Sequence, residues 1–206
     1  MMTTRARWRF RLPHWEVHDR PHFITIRCAG SLPAEAVSRL LEIRQTLEAI
    51  PSHSPQFATL QRQYFREAER YGDAGFGECP FRNGLVCRFA TASLERFPEQ
   101  NGWRATDYTF MPNHVHLLIA PGSGSSDLKT AIRGWKWYVA REANRSLGRT
   151  GAFWQSDWFD RWSRNDAETT RMRDYIRNNP VKAGLVRRWQ EHPWTHSETQ
   201  AQGSRS

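Results

Sequence analysis

Two apolar runs joined by a very short connection dominate the middle of this chain. Trp103–Phe110 and His114–Ala120 are rich in residues that favour β-strands, and Met111-Pro112-Asn113 between them is a turn sequence. A connection of this length joins neighbouring antiparallel strands, because a parallel pair needs a crossover of a dozen residues or more. The sequence therefore predicts a buried antiparallel strand pair at the centre of the fold.

The second of these strands carries two histidines. His114 and His116 flank Val115, and side chains alternate across a strand, so both imidazoles face the same side of the sheet. Two adjacent imidazoles on a rigid strand provide half of a coordination shell for a divalent metal. With 8 His in 206 residues, a chance triplet of ordinary core histidines is the alternative.

The remaining elements follow from apolar periodicity and from turn and cap residues. A first strand is predicted at His22–Cys28, and a short strand within Phe153–Arg164. Helices are predicted at Pro33–Ile50, Gln56–Tyr71, Asn83–Phe97, Asp127–Leu147 and Asn165–Asn179. This order predicts an α+β fold of the split βαβ (ferredoxin-like) type, with an antiparallel sheet, helices on one face and an appended C-terminal helix.

Residues 1–197 fit one catalytic domain, and the small, polar residues 198–206 read as a disordered tail. The scheme needs fewer helices than the sequence offers before the central strands. Residues 51–80 are therefore interpreted as a helical insertion. The three cysteines lack the spacing of a zinc finger or a disulfide scaffold, which predicts reduced thiols.

The charge distribution points to nucleic acid. The net charge is +9, and between Arg133 and Arg188 there are 13 Arg or Lys against 6 Asp or Glu. Candidate DNA contacts in this region are Arg133, Lys136, Arg141, Arg177 and Lys182. Five tryptophans lie among the basic residues, either as base-stacking platforms or as core anchors: Trp135, Trp137, Trp154, Trp158 and Trp162.

No apolar run approaches the length of a membrane span, and the arginine-rich N-terminus is not followed by the apolar core of a signal peptide. The sequence therefore predicts a cytoplasmic protein with no membrane partner.

A second set of candidate site residues lies on the last predicted helix. Tyr175 and Asn179 are four residues apart and hence on one helix face, where a phenol nucleophile and an amide oxygen can address the same metal. A phenol is a weak nucleophile at neutral pH, and a metal that polarises a phosphate offsets that weakness. Tyr138 is the competing nucleophile, because Glu142 follows it at the same spacing.

Three segments together resemble the single-tyrosine HUH transposases, and in particular the branch associated with repetitive extragenic palindromes (REP). They are Met-Pro-Asn-His-Val-His-Leu-Leu-Ile (111–119), Phe-Trp-Gln (153–155) and Asp-Tyr-Ile-Arg-Asn-Asn-Pro-Val-Lys-Ala-Gly-Leu-Val (174–186). The resemblance implies that His114, His116 and Asn179 bind Mg²⁺ or Mn²⁺ and that Tyr175 is the nucleophile.

The resemblance also implies a reaction and a substrate. The tyrosine would cleave single-stranded or hairpin DNA through a 5′-phosphotyrosine intermediate and later rejoin it, with the protein acting as a monomer or a homodimer. Two other classes stay open on the residues alone. One is a basic protein that binds single-stranded nucleic acid without catalysis, and the other is a metal-dependent hydrolase, which the lack of clustered carboxylates disfavours.

Overall fold

A five-stranded antiparallel sheet organises the chain. The computed structural model describes residues 5–7, 14–17, 19–51, 54–73 and 75–198. The strands are β1 (Arg5–Arg7), β2 (His14–Glu16), β3 (His22–Arg27), β4 (Trp103–Met111), β5 (His114–Pro121), β6 (Phe159–Trp162) and β7 (Thr195–Ser197). The main sheet has the order β6-β3-β5-β4-β7, and β1 pairs with β2 separately.

The described residues also form six α-helices: α1 (Ala34–Ala49), α2 (Pro55–Asp73), α3 (Gly84–Glu95), α4 (Phe97–Asn101), α5 (Leu128–Leu147) and α6 (Asp166–Lys182). The α+β class and the split βαβ arrangement are confirmed, since β3, β4, β5 and β6 occupy the expected positions. The edge strand β7 is an addition, and Ser197 on it is buried. The predicted tail falls mostly on residues 199–206, which lie outside the described residues.

The main core covers one face of the sheet. Apolar side chains of β3 and β5 lie opposite one another in register, as Ile24 does with Leu117 and Ile26 with Val115. They pack with buried residues of α3 and α5, including Val86 and Ile132. Trp135, Trp154 and Trp158 are buried on this side as core anchors, whereas Trp137 is 63% exposed.

The opposite face carries the histidines. His114, His116 and Leu118 alternate with the core residues of β5, and Leu118 packs with Phe23, Met172 and Ile176. This second cluster brings α6 against the sheet, and Phe65 of α2 packs against it from the side. The helix that carries Tyr175 therefore lies on the face of the sheet that presents the histidines.

Local capping residues set the limits of α6, with one difference from prediction. The side chain of Asn165 accepts a hydrogen bond from the backbone N–H of Glu168 at 2.9 Å, as expected for an N-cap. The predicted end at Asn179 is wrong, because the helix continues through Pro180 to Lys182. The backbone N–H of Ala183 still bonds the carbonyl of Asn179 at 2.9 Å, so the last turn closes despite the proline.

Candidate metal and nucleophile site

The two histidines of β5 are held with their ring nitrogens converging. Both are fully buried, and their Nε2 atoms are 3.1 Å apart. Nδ1 of His114 lies 2.8 Å from Oδ1 of Asn113, whose amide nitrogen donates to the carbonyl of Phe76. Nδ1 of His114 is therefore the protonated nitrogen, and its Nε2 presents a lone pair. Nδ1 of His116 is 2.8 Å from the hydroxyl of Thr25, which fixes the second ring.

A buried carboxylate from α2 completes a cluster with this pair. Oε2 of Glu69 lies 3.2 Å from Nε2 of His116, and Arg27 forms an ion pair with Oε1 of the same carboxylate. Ligand atoms of Glu69, His114 and His116 all lie within 4.8 Å of one another. One carboxylate oxygen and two imidazole nitrogens at this separation can hold a divalent metal ion.

Burial and neighbouring charges determine the protonation states of Glu69 and His114. Burial would raise the pKa of Glu69, but His116 and Arg27 outweigh it and hold that pKa well below its ordinary value. Burial and the neighbouring His116 hold the pKa of His114 well below its usual range. At neutral pH the cluster therefore combines an ionised carboxylate with a neutral imidazole, the states in which both groups bind metals.

Tyr175 lies against the histidines within the same chain. Its ring centroid is 5.4 Å from that of His116, with the planes at 81°. Its phenol donates a hydrogen bond to Oε2 of Glu69, the oxygen that also faces His116. The competing Tyr138 lies on α5 and packs against the core on the opposite face of the sheet. Of these two tyrosines, only Tyr175 is brought to the histidine pair.

Asn179 is one helical turn beyond Tyr175 and is almost completely buried, with 1% of its surface exposed. Among the described residues, neither its amide oxygen nor its amide nitrogen has a hydrogen-bond partner. An unsatisfied buried amide costs about 1–3 kcal/mol. This orphaned oxygen, on the helix face that presents Tyr175, fits a residue whose partner is a metal or a metal-bound ligand.

The predicted DNA contacts divide between two places. Arg133, Lys136 and Arg141 lie on α5, in the layer opposite the histidines. The ammonium of Lys136 donates to the carbonyl of Gln155 at 2.9 Å, and the guanidinium of Arg141 bonds Glu142 at 2.9 Å. Both side chains therefore have hydrogen-bond partners within the protein on the side of the sheet that α5 covers.

The other two predicted contacts follow Tyr175 on α6. Arg177 donates to the hydroxyl of Ser197 at 2.6 Å and lies over the ring of Trp189, so it ties α6 to the C-terminal strand. Lys182 is the last residue of the helix, and its positive charge contributes to lowering the pKa of His114.

Glu69 is the site residue that the sequence analysis missed. It lies in the segment interpreted as an insertion, four residues after Phe65 and beside the buried Ala68. A carboxylate within the apolar stripe of an amphipathic helix was the available signal, because buried acids need a partner.

A protein-family model matches the part of the chain that carries the histidines, Tyr175 and Asn179. Residues 83–179, from the start of α3 to Asn179, match the family model described as "Transposase IS200 like". The matched range covers 97 of the 206 residues. It includes both histidines, Tyr175 and Asn179, whereas Glu69 precedes it. Comparison with curated proteins gives no significant match.

Solved structures extend the fold comparison. The chain is similar to a REP-associated tyrosine transposase bound to a REP hairpin, with a TM-score of 0.54, 14% sequence identity, and coverage of 97% of this chain and 87% of that one. This likeness establishes a shared fold. A candidate transposase from Deinococcus radiodurans gives a TM-score of 0.32 at 13% identity, covering 77% of this chain and 89% of that one. None of the helices in the described part of the chain has the length and apolarity needed to cross a bilayer.

Proposed function

We propose that this protein is a transposase of the HUH type, a metal-dependent strand transferase that cleaves and rejoins single-stranded DNA through Tyr175. One observation carries the proposal: the phenol of Tyr175 lies beside the paired histidines of the same chain, hydrogen-bonded to a carboxylate 3.2 Å from His116. A nucleophile placed at a metal-ligand cluster is an arrangement suited to phosphoryl transfer to a tyrosine.

The ligands we assign are Nε2 of His114 and of His116, the amide oxygen of Asn179 and a carboxylate oxygen of Glu69. The donors fit a divalent ion, because the buried Asn179 oxygen has no hydrogen-bond partner among the described residues and the Nδ1 atoms of both histidines are already engaged. Imidazole and oxygen ligands suit Mn²⁺ and also accept Mg²⁺. Such an ion polarises the scissile phosphate and stabilises the departing oxygen.

The chain's own residues account for the rest of the reaction. The Tyr175 oxygen loses its proton and forms the new bond to phosphorus as the bond to the 3′ oxygen breaks. The departing 3′ oxygen takes up a proton in turn, which leaves a 5′-phosphotyrosine and a free 3′-hydroxyl. Glu69 accepts the phenol's hydrogen bond and orients the nucleophile. The phosphoester energy is retained in the covalent intermediate, so a 3′-hydroxyl can reverse the reaction without a nucleotide cofactor.

We infer a hairpin-forming DNA substrate, because the chain shares its fold with a transposase that was solved on a REP hairpin. The ring of Tyr175 lies 5.4 Å from that of His116 in the same chain, so we also propose that cleavage takes place in cis.

A labelled hairpin with a single-stranded extension, incubated with the protein and Mn²⁺ and run on a denaturing gel, tests this function. We expect a covalent protein–DNA adduct that is lost in Tyr175→Phe and kept in Tyr138→Phe. Cleavage without an adduct would assign a hydrolase, and binding without cleavage would assign a non-catalytic binding protein. Calorimetric titration of Asn179→Ala with Mn²⁺ tests the amide ligand separately, and we expect weaker binding.

A further inference from the structure

A groove leads over the surface to Tyr175. Its two walls are α2 and α6, and β6 lies at its base. The cavity has a volume of about 470 Å³. We call it the α2–α6 groove. The segment that carries α2 precedes the residues that match the transposase family, so one wall of the groove lies outside the matched domain.

The walls and rim of the groove are strongly basic. Five guanidinium groups line it, from Arg62, Arg66, Arg161, Arg164 and Arg171, against one carboxylate, from Glu168. That carboxylate already forms an ion pair with Arg161. Partial burial and the neighbouring Arg164, Arg62 and Arg171 together lower the pKa of Arg161, as expected where like charges are crowded. The groove thus presents excess positive charge to whatever occupies it.

The floor of the groove is aromatic. The rings of Phe65 and Phe159 are 4.7 Å apart, and Phe65 lies 5.7 Å from the ring of Tyr175. Both phenylalanines are only partly buried, so their rings are accessible from the cavity. Aromatic rings beside arginines along a groove form the usual platform for unpaired bases, which stack on the rings while their phosphates contact the cations.

We propose that the α2–α6 groove binds the single-stranded DNA segment next to the scissile phosphate and guides it to Tyr175. This proposal rests on the proposed function, because the groove ends at the nucleophile assigned there. An acidic protein segment would satisfy the arginines but gives no reason for the aromatic floor. A duplex presents no unpaired base faces to Phe65 and Phe159.

Binding can be measured without the cleavage reaction. In the Tyr175→Phe background, fluorescence anisotropy compares a hairpin that carries a single-stranded extension with the same hairpin made blunt, in EDTA and over a series of salt concentrations. We expect Arg62→Gln combined with Arg171→Gln to weaken binding of the extended hairpin only. For this double variant, the slope of log K plotted against log salt concentration should decrease in magnitude by about 1.4. Two phosphate contacts are lost, and each contributes about 0.7 to the slope.

Two further variants separate stacking and general charge from the specific contacts. Phe65→Leu keeps the groove apolar and should weaken binding of the extended hairpin about tenfold, through lost base stacking. Arg88→Gln combined with Arg96→Gln removes two exposed charges from the α3 layer on the other side of the sheet and should change neither substrate. Circular dichroism and melting temperature establish that each variant is folded.

Three results would overturn the proposal: equal losses for the extended and blunt hairpins, no loss in the groove variants, or a glutamate-rich peptide that competes as well as the single strand and is indifferent to Phe65→Leu. The last result would assign the groove to an acidic protein partner. If the Tyr175→Phe parent bound none of the DNAs, the proposed function itself would fail, whereas unaffected binding by the groove variants rejects the groove alone.

Discussion

The phenol of Tyr175 donates its hydrogen bond to Oε2 of Glu69, a residue 106 positions earlier in the chain. The same oxygen faces Nε2 of His116 at 3.2 Å. The carboxylate therefore joins the nucleophile to the histidine pair, and α2 contributes to the site. Helix α2 therefore supplies a residue of the candidate site and does not only cover the surface of the sheet.

Replacing Glu69 should weaken metal binding. Glu69→Gln keeps the shape and removes the charge, and we expect the Mn²⁺ dissociation constant to rise by at least the ~10–100-fold that loss of an outer partner typically causes. Isothermal titration calorimetry measures it. Glu67→Gln, on the same helix but paired with surface arginines, is the matched control and should bind as the parent does. Unchanged affinity in Glu69→Gln would remove Glu69 from the ligand set.

The hydroxyl of Thr25 should matter through His116. Thr25→Val is nearly isosteric and removes the 2.8 Å contact with Nδ1, so the ring loses the partner that fixes its orientation. We expect Mn²⁺ affinity to fall about 10–100-fold. Thr109→Val removes another buried hydroxyl, which bonds Thr195 on β7, and should leave affinity unchanged. Equal affinities in the two variants would show that Thr25 does not orient the ligand.

The ion pair between Arg173 and Asp107 should stabilise the docking of α6 on the sheet. Nε of Arg173 lies 3.1 Å from both oxygens of Asp107, which is fully buried, whereas 23% of the Arg173 side chain is exposed. Arg173→Leu leaves a buried charge without its cation, so we expect a loss of about 3–5 kcal/mol in the free energy of unfolding.

Asp107→Asn is the matched variant for this ion pair. It leaves a cation that can reach water, so it should cost less, about 1–3 kcal/mol. Urea unfolding ranks the two variants, and the reverse order would contradict the assignment.

The cysteines should differ in reactivity. Burial raises the pKa of Cys28 far above its ordinary value and that of Cys87 to about 12, whereas Cys79 is only partly buried. Since the thiolate is the reactive form, iodoacetamide at pH 8 should modify one thiol in the folded protein and three after denaturation. Intact-protein mass spectrometry counts the adducts. A second adduct on the folded chain would show that one buried thiol is accessible.

The sequence was sufficient for those parts of the site whose geometry is local. The alternation of β5 placed His114 and His116 on one face, and the spacing of α6 placed Tyr175 and Asn179 on one side. Joining these two elements depended on a family resemblance, because no local pattern says that α6 packs against the histidine face. The extension of α6 beyond Pro180 was missed because a proline only disfavours helical geometry at the residue before it.

The roles of Glu69 and of the α2–α6 groove could not be predicted from the sequence for a related reason. Phe65 of α2 packs against the cluster of Phe23, Leu118 and Ile176, and this contact helps to hold α2 beside the histidine face. That contact is long-range and appears in no periodicity. Charge counts showed a basic C-terminal half but not which guanidinium groups face the nucleophile, so the arginines of α2 were not considered as DNA contacts.

The most direct test of the central claim is to locate the covalent bond. The protein is incubated with Mn²⁺ and a hairpin carrying a single-stranded extension, the adduct is digested with nuclease and trypsin, and the nucleotide-bearing peptide is sequenced by mass spectrometry. We predict a nucleotide linked through its 5′-phosphate to Tyr175 and none when Mn²⁺ is replaced by EDTA. Linkage to Tyr138, or DNA cleavage that leaves no modified tyrosine, would contradict the account.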